Sequence, residues 1–353
     1  MDIPDTAPPH DVPPTQGSTD SAAPAPRAPR RGTAASRLSG KGSSRLGDAL
    51  FSASSRGSGI LLLVIMAAIA VFLTIRSVIA IHADTGNFLT SFNWNTAIGT
   101  PPDFGIALLA FGTVVSALIA MILAVPVSIG VALFISHYAP RRMAQALGYV
   151  VDLLAAVPSI VYGLWGALFL VPHMLGANAW LNTYFGWTYI FGEGDQVGTQ
   201  PRSLFTVGVL LAIMILPIVT AVTREIFLQV PRMYEEAALA LGATRWEVIR
   251  TSVLPFARSG IISASMLGLG RALGETMAVA TVLSSNLVFS LHLTSPGGST
   301  IAQNIATQFG EAQGVGRDAL IASGLVLFLI TLLVNGGARL IIARRKEYSG
   351  ANA

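Results

Sequence analysis

Six separate runs of about 20 or more mostly apolar residues punctuate this chain. A helix that crosses lipid must pair every backbone N–H and C=O internally, so runs of that length leave few architectures open. The expectation is an all-α polytopic membrane protein with six transmembrane helices, placed near residues 60–81, 106–136, 147–171, 204–222, 261–288 and 319–342. The second and fifth are long enough to tilt or to project beyond the bilayer. Only 11% of the 353 residues are charged, against roughly 25% in soluble domains, which supports a chain living in lipid.

Basic residues cluster around these runs on one side. Arg27, Arg30, Arg31, Arg37, Lys41, Arg45 and Arg56 precede the first run, and Arg141 and Arg142 follow the second. Arg224, Arg232, Arg245, Arg250 and Arg258 separate the fourth from the fifth, and Arg339, Arg344, Arg345 and Lys346 lie near the end. The alternate loops hold Arg202 and Arg317. Basic loops stay inside, so both termini and residues 224–258 are expected in the cytoplasm, with the chain in the cell membrane. The net charge of +4 is thereby explained by topology and lipid rather than by nucleic acid. Residues 1–55, rich in Pro, Ala, Ser and Gly, read as a disordered tail, residues 60–345 as the membrane domain, and 346–353 as a second tail. No short apolar core follows directly on a basic start, so no signal peptide is expected. Cysteine is absent, which removes disulfides and thiolate chemistry.

Between the fourth and fifth runs, residues 231–255 read PRMYEEAALALGATRWEVIRTSVLP. The pattern is two short helices joined at a glycine. Pro231 suits a first helical turn, Gly242 suits a left-handed helix end, and Thr244 with Glu247 has capping-box spacing. Pro255 is expected to close the unit. Such a hairpin is either an ordered loop or a knob for another protein.

Two charges interrupt the fifth run. Arg271 falls roughly 15 Å along it, near mid-membrane, and Glu275 one turn later on the same face. A charge at that depth costs at least about 2.5–3.5 kcal/mol, so both must face protein or water. They form either a structural ion pair or a solute site. Gly268, Gly270 and Gly274 either let helices pack closely or leave room for a solute. A guanidinium suits an oxyanion such as phosphate, and a carboxylate accepts a hydrogen bond from a protonated phosphate oxygen. In the third run Pro158 is expected to kink the helix. Ser159 and Tyr162 either line a path or bond back to their own helix. Asp152 fits a structural hydrogen bond, and Arg76 is expected to snorkel to the surface. Residues 299–309 suit a short amphipathic helix on the membrane, in the mouth or against a partner. The aromatic stretch 180–191, with Glu193 and Asp195 after it, is either an interfacial belt or a docking surface.

Glu236-Ala237-Ala238, Gly242 and Leu254-Pro255 resemble the EAA loop of ABC-importer permeases, although Ser252 stands where that family usually has an apolar residue. LLAAVPSIVYGLWG and GLGRALGETMAVA resemble PstC-type permeases of phosphate-specific importers. The resemblance covers roughly residues 104–345. It implies a type I importer permease fold whose EAA loop is a coupling helix. It also implies a second, PstA-type permease, two PstB-type ATPase subunits and an external PstS-type phosphate-binding protein. By the same analogy Arg271 and Glu275 serve translocation. Gly40-Lys41 lacks the upstream glycine of a nucleotide-binding loop, so ATP hydrolysis is expected from a partner and not from this chain. No cofactor and no metal site are expected. A permease for sulfate or molybdate, an ion-coupled carrier and an intramembrane enzyme are the other readings.

Overall fold

The computed structural model describes residues 43–96, 100–191, 201–284 and 287–346. The chain divides after Leu63 into two units, and the second, Val64–Ala353, carries the bundle discussed here. The helices are α1 (Ser43–Ala83), α2 (Ala107–Leu133), α3 (Arg141–Ala155), α4 (Ser159–Trp165), α5 (Val171–Phe185), α6 (Leu204–Leu228), α7 (Arg232–Ala240), α8 (Arg245–Val248), α9 (Leu254–Leu273), α10 (Met277–Val282), α11 (Ile301–Gln308) and α12 (Val315–Lys346). Single π turns at Phe134–Tyr138, Gly166–Leu170 and Ile249–Val253 extend α2, join α4 to α5 and join α8 to α9. Two short strands, β1 (Trp94–Asn95) and β2 (Asp103–Phe104), pair antiparallel between α1 and α2. Among the described residues six helical stretches are long and apolar enough to cross a membrane: Gly47–Ala83, Ala107–Tyr138, Ser159–Phe185, Leu204–Leu228, Arg245–Leu273 and Val315–Leu340. The all-α polytopic architecture therefore stands.

Three boundaries differ from expectation. α1 starts at Ser43, so residues 43–55 are helical rather than disordered. Extending a formed helix adds one hydrogen bond per residue and needs no new nucleus. Residues 1–42, including the Gly40-Lys41 pair, and 347–353 lie outside the described residues, as do Glu193 and Asp195. The third span runs from Ser159 to Phe185, not 147–171, because Pro158 separates two helices instead of kinking one. The fifth span runs from Arg245 to Leu273, not 261–288. Pro255 does not close the hairpin. It sits in the first turn of α9 just after a π turn, where its missing N–H is tolerated, and the helix runs on into the membrane span.

α6 is the axis of the bundle: 61% of its most apolar stretch is buried within the chain, against 22% for α12. Ala117, Ala120 and Ala124 of α2 present a low-relief face to Val207, Leu210, Leu211, Met214 and Ile215. Gly208 lies so close to Ile119 that a methyl there would meet it at 2.5 Å. Close backbone approach of this kind is how helices associate where lipid removes the hydrophobic drive.

The two ends of α6 are built differently. Near its start α11 packs into the bundle with its first turn and keeps exposed residues in its second. The Ile301 N–H donates to Thr113 Oγ1 of α2 at 2.9 Å, and Ile301 to Asn304 are buried. Here Arg76 pairs with Asp318 of α12 at 3.1 Å, so its charge has a partner as well as partial exposure. At the far end of α6, Phe227 packs with Ala132, Val230, Val253 and Ala257. That cluster anchors the α7–α8 hairpin. Asp152 of α3 has the structural role expected of it, pairing with Arg224 of α6 at 3.3 Å.

Candidate functional site

α9 carries Arg271 in its last turn and ends at Leu273; Gly274 follows at φ −97°, and α10 begins at Met277. Arg271 and Glu275 therefore do not share a helix face, because the chain leaves the helix between them. Each charge sits where a helix end favours it, the cation at the C-terminus of α9 and the carboxylate at the N-terminus of α10. Glu275 is 8% exposed, and its Oε1 accepts the N–H of Ala278 at 3.3 Å. No ion pair joins the two charges among the described residues. The Nε of Arg271 is buried and has no hydrogen-bond partner.

The glycines divide into two groups. A methyl on Gly268 would meet Val219 Cγ2 at 2.6 Å, so this position seats α9 against α6. A methyl on Gly270 would have nothing within 4 Å, and one on Gly274 would meet only the Gly270 carbonyl oxygen at 3.6 Å. Within this chain those two leave a bare face beside the arginine.

α4 lies across α10. A methyl on Gly163 would meet the Ala278 Cα at 2.8 Å and the Thr281 hydroxyl closer still. The neighbouring Tyr162 is within electrostatic reach of the Arg271 guanidinium. Its hydroxyl donates to the Leu154 carbonyl at 3.0 Å, back across the interruption at Pro158. The bond pairs a carbonyl at the end of α3 and so leaves Tyr162's own helix, α4. Ser159 opens α4, half-buried.

The second candidate site is the hairpin. Pro231 is the residue before α7 rather than within its first turn. After Leu241 the chain turns through Gly242 at φ +85°, where the Ala243 N–H bonds the Ala238 carbonyl at 3.1 Å and the Gly242 N–H bonds the Leu239 carbonyl at 2.9 Å. This paired closure satisfies the last carbonyls of α7 and needs a residue without a Cβ penalty at 242. Thr244 and Glu247 form the expected reciprocal cap of α8. Glu236 and Ala237 are exposed on α7, Ala238 is half-buried, Leu254 packs on the Phe227 cluster and Pro255 faces outward. Ser252 donates to the Tyr234 carbonyl at 3.4 Å, so a hydrogen bond to α7 occupies the position expected to be apolar.

Sequence reading missed the hairpin's most prominent groups. Leu241 is 89% exposed and Trp246 57%, with Met233 and Tyr234 also in the open. The signal for them was a large aliphatic residue directly before the helix-ending glycine, in a stretch otherwise polar. Among the described residues no cluster of three or more His, Cys, Asp or Glu side chains is arranged to hold a metal ion.

Comparison with known proteins gives two concordant results. A family model described as "Binding-protein-dependent transport system inner membrane component" matches residues 124–347. The chain is 45% identical over 286 residues to the phosphate transport system permease protein PstC 2 of Mycobacterium tuberculosis (strain ATCC 25618 / H37Rv), covering 81% of this chain and 88% of that protein. It is 45% identical over 277 residues to PstC of Mycobacterium leprae (strain TN), covering 78% and 87%. It is 44% identical over 264 residues to PstC of Xylella fastidiosa (strain Temecula1 / ATCC 700964), covering 74% and 80%.

Proposed function

Because this chain belongs to the binding-protein-dependent transport system inner membrane components, and among them to the PstC phosphate transport permeases, we propose that it is the subunit through which an ATP-driven importer carries inorganic phosphate into the cytoplasm. A permease of this family is a transport component that works with an ATPase and a binding protein. In finer detail, the chain pairs with a PstA-type permease, rests on two PstB-type ATPase subunits and receives phosphate from a PstS-type protein outside the cell. The hairpin and both termini lie in the cytoplasm, in keeping with the arginine distribution.

The observation that carries this reading is the unpaired Arg271 beside a bare glycine face at a helix break. A guanidinium whose Nε lacks a protein acceptor offers donors to an oxyanion. Glu275 keeps one oxygen on Ala278 and has the other for a protonated phosphate oxygen. Sulfate at neutral pH has no such proton, so the carboxylate repels it without compensation. Closure of the ATPase subunits moves the helix bundles against each other, and Arg271 assists a passing phosphate without holding it tightly. Ser159 and the lone pairs of Tyr162 border the same path.

The test is phosphate uptake in cells carrying Arg271→Gln, with complex assembly and ATPase activity followed in parallel and sulfate uptake as comparator. Uptake is expected to fall at least about 100-fold while assembly and ATPase activity persist. Survival of phosphate uptake removes Arg271 from the path. Uptake of sulfate in place of phosphate by the wild type identifies a permease for another oxyanion.

A further inference from the structure

The end of α2 is unusual in a way that bears on the hairpin. Its helix widens into the π turn Phe134–Tyr138, a geometry found often at functional positions. In that turn His137 has three contacts. Ser136 Oγ lies 2.7 Å from Nδ1 and also 2.8 Å from the Ala132 carbonyl, to which its hydroxyl donates. Nε2 lies 3.6 Å from Oε1 of Glu235 on α7, an ion pair when the imidazole is protonated. The ring meets Phe227 of α6 edge-on, with centroids 6.1 Å apart. The pair is partly shielded, the two side chains being 14% and 28% exposed, which distinguishes it from an open surface ion pair.

Beside this contact lies a cavity of about 260 Å³, lined by His137, Tyr138, Glu235, Leu239, Arg245 and Val248, among others. α7 is thus not packed tightly onto α2; there is room for one to move on the other. The remaining ties of α7 stay inside the hairpin or its own continuation: the Gly242 closure, the Ser252 hydroxyl on the Tyr234 carbonyl, and the Tyr234–Phe256 ring contact at 6.3 Å. Among the described residues, His137–Glu235 is the one polar side-chain contact that joins α7 to a different span.

We infer that His137 is a positioning residue of the coupling step. It fixes the distance between α7 and the end of α2 and passes displacement of the hairpin to α2, and through Phe227 to α6. This rests on the reading that the hairpin docks on an ATPase subunit. A strut across a cavity gives the movement a defined route, whereas α7 held only by its own hairpin would swing without carrying α2 along.

The test uses the complete importer in proteoliposomes and reads phosphate imported per ATP hydrolysed. His137→Ala and Glu235→Ala are each expected to lower that ratio about fivefold with an unchanged KM for the phosphate-loaded binding protein. The double variant should be no worse than either single one, and His137→Lys should recover at least half the loss. An unchanged ratio, additive losses or failure of His137→Lys to recover overturns the proposal. If the alanine variants do not assemble, His137→Cys with Glu235→Cys supplies a second measurement, because the chain has no cysteine of its own. Bridging the assembled double variant with a reducible bis-thiosulfonate should restore the ratio, and reduction in the same vesicles should lower it again. Equal ratios in the two states overturn the role of His137. Wild-type importer that carries no phosphate with ATP overturns instead the functional reading beneath it.

Discussion

The hairpin and the helix break are built on the same local plan and turned to opposite ends. In both, a helix stops at a glycine and a side chain accepts a backbone N–H three residues on at the start of the next: Thr244 Oγ1, the N-cap itself, from Glu247 at 3.4 Å, and Glu275 Oε1, one residue before the N-cap Thr276, from Ala278 at 3.3 Å. What each interruption leaves unsatisfied is inverted. The hairpin leaves an aliphatic side chain in the open, Leu241 at 89% exposure. The break leaves a buried guanidinium nitrogen without an acceptor. In the proposed function each local cost is removed by a partner of matching chemistry, an apolar groove on an ATPase subunit for the first and an oxyanion for the second. On that proposal one chain carries two recognition sites, each marked by what the fold leaves unsatisfied.

The sharpest way to break this pairing is to change one site and read the other. Leu241→Asp removes an apolar side chain worth about 1.5–3 kcal/mol on full burial and puts a charge in its place. Association with the ATPase subunit is expected to weaken about 100-fold, measured by copurification across a concentration series, with the helix break untouched. Loss of phosphate recognition with ATPase binding intact would show that the hairpin is not the docking knob. Glu275 gives the next largest effect. Glu275→Gln keeps an acceptor for Ala278 but replaces the second acceptor with a donor. Phosphate uptake is expected to fall about tenfold with little change in thermal stability, whereas Glu275→Ala also lowers stability by about 1 kcal/mol through loss of the cap. Equal uptake by wild type and Glu275→Gln would make the carboxylate a cap and nothing more.

How much of this was legible from sequence follows the reach of the forces involved. The turn at Gly242 and the cap at Thr244 were readable because a capping box and a left-handed glycine are decided within four residues, whereas the ends set at Pro231 and Pro255 were not. Its outward Leu241 was not, since exposure depends on what the rest of the chain leaves uncovered. The break was hidden by its surroundings. Mostly apolar residues resume at Met277 and run to Leu283, and a hydropathy window runs over the helix end between them and α9 without registering it. Gly274, Glu275 and Thr276 carry the stop and start signals that would be trusted in a soluble protein. The third span was misplaced for the same reason: amphipathic α3 and apolar α4 merge in a window, and only Pro158 marks the join. The strut from His137 to Glu235 joins residues far apart in sequence and had no local signal at all.

The smallest expected effect discriminates the two interruptions most cleanly, because the same substitution is made in both. Gly242 sits at φ +85°, where a Cβ costs about 1–2 kcal/mol, although open space surrounds it. Gly274 sits at φ −97°, which any residue adopts, and a methyl there meets only a carbonyl oxygen at 3.6 Å, an ordinary contact. Gly242→Ala should therefore lower the unfolding midpoint of the purified complex by a few degrees, while Gly274→Ala leaves it within about one degree. Transport should rank the other way if the bare face is a path: the Gly274 methyl narrows it and lowers uptake two- to threefold, and the Gly242 methyl acts only through stability. A Gly274→Ala variant that destabilises the complex and transports normally once cooled would make residue 274 a backbone requirement, and would leave Gly270 as the sole glycine opening space at Arg271.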